Sequence, residues 1–171
     1  YTGSEFELDV NKVKISDEFT GEDLTEKLKP SLKISYSQEG TDKPIVKDAG
    51  EYKINASVEN DMYIGQYSEK FEILPCAIKA VSGNAVSMSY IKGNFNVTML
   101  NTLFEGLLEC ESLSAGADYK MSDGKMDSDQ PGEHDVEFTV ELKNKNYVFE
   151  NGTKTQVCHT KVEIKKWTPC E

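Results

Sequence analysis

The residues of this chain that could do chemistry are four cysteines (Cys76, Cys110, Cys158 and Cys170), two histidines (His134 and His159) and a string of carboxylates. A zinc centre needs four ligands at convergent spacing, and neither a Cys-x-x-Cys nor a His-x-x-x-His pair occurs. His159 adjoins Cys158, but neighbours on a strand point to opposite faces, so the two cannot serve as a nucleophile and its base. His134 falls on the apolar phase of its strand and reads as a structural residue. Asp118, Asp123, Asp127, Asp129 and Glu133 form the one acidic stretch whose oxygens could serve Ca²⁺. Their spacing is not that of an EF-hand, and Asp123-Gly124 is equally what a tight turn demands. Carboxylates for glycoside hydrolysis must pair across a cleft, whereas the acidic residues here are spread along the whole chain. With no catalytic, metal or cofactor set, the chain reads as a non-enzyme that carries no cofactor.

The elements that hold these residues repeat. Asp48-Ala49-Gly50-Glu51 launches a run in which Tyr52, Ile54, Ala56 and Val58 alternate with polar residues, and Gln130-Pro131-Gly132-Glu133 launches His134, Val136, Phe138, Val140 and Leu142 in the same way. A period of two marks a half-buried β-strand. Around it, Leu32, Ile34 and Tyr36 answer Ala117, Tyr119 and Met121; Tyr63-Ile64 answers Tyr147-Val148; Phe71-Glu72-Ile73 answers Val162-Glu163-Ile164. Pro75-Cys76 and Pro169-Cys170 stand at equivalent boundaries. The repeat therefore predicts an all-β chain of two tandem antiparallel β-sandwich domains, residues 1–75 and residues 76–171. Within them, opening strands are expected at Phe6–Val10 and Val13–Ile15, and a helical turn at Leu24–Leu28 before Pro30. A hairpin of Val86–Tyr90 with Phe95–Met99 and a compact non-strand excursion at Leu103–Leu108 are expected in the second domain.

Charge narrows the partners. The formal charge is −11 and all 19 basic residues are lysine, so the basic patch that phosphate binding requires is missing and nucleic acid is excluded as a partner. No apolar run approaches the ~18 residues a bilayer span needs, so no membrane insertion of this segment is expected. Tyr1 opens directly into strand-like sequence without a signal peptide, which suggests a segment of something longer. Asn55-Ala56-Ser57, Asn96-Val97-Thr98 and Asn151-Gly152-Thr153 match the glycosylation sequon, and two of the three fall within predicted strands.

Tyr1-Thr2-Gly3, Tyr36-Ser37, Asp48-Ala49-Gly50-Glu51-Tyr52 and Tyr63-Ile64-Gly65 together resemble the bacterial immunoglobulin-like surface repeats of the MBG or YDG type. The second module is similar but replaces the Asp-Ala-Gly-x-Tyr pattern by Gln130-Pro131-Gly132-Glu133-His134. The resemblance implies a non-enzymatic stalk or adhesion segment of a larger bacterial cell-surface or secreted protein, packed against adjacent repeats of the same chain and displayed outside the cell. The alternative is a carbohydrate- or protein-binding module that meets a host or cell-surface protein or glycan through its pole loops. Tyr147 and Phe149 are then the contact aromatics, and Trp167 packs at a module junction. In an immunoglobulin-like strand order Cys110 and Cys158 lie at one pole, where an exported protein could join them as a disulfide. Cys76 with Cys158 is the rival pairing, and all four thiols stay free if the protein is cytosolic.

Overall fold

The computed structural model of the chain describes residues 1–82, 86–89, 100, 102–128 and 130–166. It is an all-β architecture that divides into two compact units, Tyr1–Leu74 and Pro75–Glu171. Trp167, Cys170, Asp129, the Asn96 sequon and the second arm of the expected hairpin lie outside the described residues.

The first unit is built on one sheet of three strands, β1 (Leu32–Ser37), β2 (Gly50–Glu59) and β3 (Ile64–Ile73), in that order and antiparallel throughout. Alternation sorts its two faces. Tyr36 pairs with Ile54 and Ile34 with Ala56 across β1 and β2, and Tyr52 pairs with Phe71 and Ala56 with Tyr67 across β2 and β3, which gives one apolar face. The other face is polar, with Ser68 donating to Asn55 at 2.7 Å and Asn55 to Ser37 at 3.3 Å. A short helix α1 (Thr25–Leu28) precedes the sheet, and Pro30 in the 3-10 turn that follows stops it.

The expected opening strands do not form. Residues 5–15 run over the apolar face as irregular chain with a 3-10 turn at Val10–Lys12. Their alternating side chains serve as a cover, and side chains rather than a neighbouring strand satisfy part of their backbone. The Leu8 amide donates to the Tyr36 hydroxyl at 2.9 Å, and the Ile15 amide to Thr25 Oγ1 at 2.9 Å.

Among the described residues the second unit carries seven strands: β4 (Cys76–Ser82), β5 (Val86–Ser89), β6 (Thr102–Glu105), β7 (Tyr119–Met126), β8 (Gly132–Leu142), β9 (Tyr147–Phe149) and β10 (Thr155–Lys165). They make a four-stranded sheet β5-β10-β8-β7 and a three-stranded sheet β6-β4-β9. β6 overlaps the first half of Leu103–Leu108, the stretch read as a non-strand excursion, because Thr102–Glu105 finds an antiparallel partner in Lys79–Ser82. Pairing is not antiparallel throughout: β4 runs parallel to β9 and β5 parallel to β10. Such pairs need long connections, which strands this far apart in sequence supply.

Gln156 joins the two sheets, its amide donating to the Ala80 carbonyl at 2.7 Å and accepting from the Ala80 amide at 3.1 Å, while Phe104 meets Tyr119 edge-on with centroids 4.9 Å apart. Between the sheets lie Ile78, Val136, Phe138, Val140, Tyr147, Phe149 and Val162, all fully buried.

Both long strands are launched by the same device. Gly50 (φ 149°) and Gly132 (φ 141°) adopt backbone angles that a side chain would strain. Two residues on, a side chain reaches back four residues. The Tyr52 hydroxyl donates to the Asp48 carbonyl at 2.9 Å, and His134 Nε2 meets the Gln130 carbonyl at 2.5 Å.

Phe138 is 1% exposed in the middle of β8, opposite Cys158 on β10. Phe138→Ala leaves a cavity where no neighbour can collapse and is expected to cost about 3–5 kcal/mol in chemical denaturation. A loss below about 1 kcal/mol contradicts this core.

Candidate functional site

The apolar face of the first sheet is covered at its two ends and open in the middle. At one end Leu24 and Leu28 of the α1 segment bury against Val58, with Ile15, Leu32 and Tyr63 packed around them. At the other end Phe6 lies 5.1 Å from Phe71 and 6.2 Å from Tyr36, and Phe71 stacks on Tyr52 at 5.7 Å, centroid to centroid. Between these clusters runs a groove of about 860 Å³. Ile34, Ile54 and Ala56 form its floor, and Val13, Phe19, Met62, Ile64 and Tyr67 are among its walls. Phe19, Met62, Ile64 and Tyr67 are exposed, and several large apolar side chains left together in water are the usual mark of a contact surface. The rim is mixed: Lys14, Asp17, Glu18 and Glu69. Asp17 is drawn into its own turn, where the amides of Thr20 and Phe19 donate to it and hold its carboxyl below the ordinary range. The Tyr67 hydroxyl donates to Glu69 at 2.8 Å, which pushes the phenol up.

The site residues expected from sequence are found elsewhere. Tyr147 is 0% exposed and Phe149 1% exposed, so neither is available as a contact aromatic. β9 pairs with β4 and turns both rings into the core, where the Tyr147 hydroxyl donates to the Glu111 carboxylate. Lys154 donates to the carbonyls of Asn144, at 2.9 Å, and Tyr147, and burial pulls its ammonium below the ordinary range.

The Cys110–Cys158 disulfide is not present: Cys76, Cys110 and Cys158 are free thiols. Cys110 is exposed in a turn with φ 68°, whereas Cys158 is buried on β10 with its sulfur turned to the Ala80 carbonyl. One points to solvent and the other into the core.

The described residues of the acidic stretch do not converge. Asp118 accepts from the Ser114 amide at 2.8 Å and from Asn144 Nδ2 at 2.9 Å, Glu133 takes Lys161 at 2.5 Å, and Asp127 takes His134 at 2.7 Å. Among the described residues no group of three or more His, Cys, Asp or Glu could hold a metal ion. Asn151 is occupied in a turn, its side-chain oxygen accepting from the Thr153 amide and hydroxyl.

The groove was not foreseen. Its floor residues were legible as one face of two strands, but what leaves that face open is the path of residues 5–15, which no periodicity encodes. Comparison of the chain with protein-family models and with the curated proteins finds no match.

Burial pushes the Cys158 thiol up, against the opposing hydrogen bond from Gln156, and the thiolate is the species that reacts. In the native protein at pH 8, buried Cys158 is therefore expected to alkylate at least tenfold more slowly than exposed Cys110, catching up only in denaturant. Recovery of the two as one disulfide-linked peptide under non-reducing conditions would restore the pairing expected from sequence.

Proposed function

We propose that the chain is a non-catalytic, tandem immunoglobulin-like segment of a bacterial cell-surface or secreted protein, acting as a stalk or adhesion spacer. The observation that carries this reading is the recurrence, in two compact units, of one strand-launching device at Gly50-Glu51-Tyr52 and Gly132-Glu133-His134. Repetition of a folded unit is a way to build length, and it needs no reactive residues. The acidic, arginine-free composition supports display in solution.

A second reading, a binding module for a host or cell-surface partner, is favoured by the groove of the first unit. It moves the contact away from Tyr147 and Phe149 and onto the β1-β2-β3 face. That floor suits the apolar side chains of a protein segment better than the hydroxyls of a glycan.

Pulling single molecules by their ends separates the two. A spacer is expected to give two force-resisting unfolding events, one per unit, and the full chain to retain nothing from a glycan array or a displayed-peptide library. One merged event speaks against independent tandem units. Selection of peptides whose binding falls at least tenfold on Ile34→Asp, with the fold kept, establishes the binding module instead.

A further inference from the structure

The strand entry held by a tyrosine in the first unit is held by a histidine in the second. His134 is 8% exposed and both ring nitrogens are engaged, Nδ1 at 2.7 Å from Asp127 Oδ1 and Nε2 at 2.5 Å from the Gln130 carbonyl. A carbonyl oxygen only accepts, and so does a carboxylate. A neutral imidazole has one N–H and can satisfy one of these partners, whereas the doubly protonated ring satisfies both. We propose that His134 is a proton-operated latch: as the imidazolium it holds both the Asp127 carboxylate and the Gln130 carbonyl at the start of β8, and loss of its proton releases one of the two ties.

The surroundings agree with a retained positive charge. The Asp127 carboxylate, itself 68% exposed, is in contact with the ring. On β8 the flanking charges are Glu133 and Asp135, and on β10 Lys161 and Glu163 flank Val162, the residue opposite His134. Alternation sends these four to the other face of the sheet, where Lys161 is matched to Glu133 at 2.5 Å. On β7, Lys125 stands opposite Glu137, farther along the ladder. A carboxylate in contact favours the charged ring. The latch requires this attraction to outweigh burial, which opposes the charged ring; its contribution to stability is then fully present below the unfolded value of ~6.5 and is lost as pH rises through the folded one. Tyr52 is the built-in comparison, because its hydroxyl makes the same backward bond to the Asp48 carbonyl without carrying charge.

The test uses the full chain. Long-range proton–nitrogen correlation of the imidazole should show both His134 nitrogens protonated at pH 7, with a titration midpoint above ~6.5, and Asp127→Asn, a surface change, should lower that midpoint. Between pH 6 and pH 8.5 the melting temperature of the second unit should fall by about 4–8 °C relative to His134→Tyr, which copies the first unit. A bare nitrogen at pH 7 with a midpoint at or below ~6.5 overturns the proposal, as does an equal pH dependence in His134→Tyr. If His134→Tyr fails to fold, the titration of the wild type against Asp127→Asn decides alone.

Discussion

Each unit depends on where one long strand begins. A glycine turns the chain into β2 and again into β8, and two residues later a side chain bonds back to the carbonyl four positions upstream, so that turn and strand are fixed as one piece. The constraint is register. Because side chains alternate, starting β8 one residue late would send Val136, Phe138 and Val140 into solvent and bring Asp135, Glu137 and Thr139 inside. β8 is paired on both sides, by β7 and β10, so the starting point set at Gly132 is handed on to both neighbours. The same holds for β2 between β1 and β3.

From that common start the units close differently. The second unit covers the inner face of its larger sheet with β6, β4 and β9, and the large side chains between the sheets are sealed from water. The first unit covers its one sheet with a helical turn and irregular chain, and its floor residues Ile34, Ile54 and Ala56 stay partly exposed. A strand layer seals a face continuously because its side chains project at a regular pitch of two. Irregular chain seals only where a large side chain happens to land, as Phe6 and Leu24 do. The groove is the stretch in which none lands.

Period-two alternation was enough to read β1, β2 and β8 from sequence, since each has one apolar face and a turn signal at its start. The break after Leu28 was equally legible, because Pro30 permits no continuation. Alternation misled where it described a cover: Phe6, Leu8, Val13 and Ile15 alternate, yet no partner strand is at hand for their backbone. It also missed what remote pairing decides. Nothing local in Tyr147-Val148-Phe149 announces that β4, some 70 residues earlier, will lie alongside and draw two of the three rings and side chains inward. Nor does the sequence near His134 show that Asp127 and Gln130 fold back to occupy both of its nitrogens. Its apolar phase pointed to burial, and burial alone does not reveal charge.

β3 is the outer strand of its sheet and ten residues long, exposed along most of its length. An outer strand of that length is a template on which another chain could zip, and chains that zip edge to edge grow into fibrils. Here the template carries its own obstruction. Glu69, opposite Ile54, sits on the otherwise apolar face, and Lys70 and Glu72 follow it. Any strand laid alongside must strip water from that carboxylate. An edge so guarded lets the sheet expose a groove for contact on one face while it refuses pairing with further copies of itself.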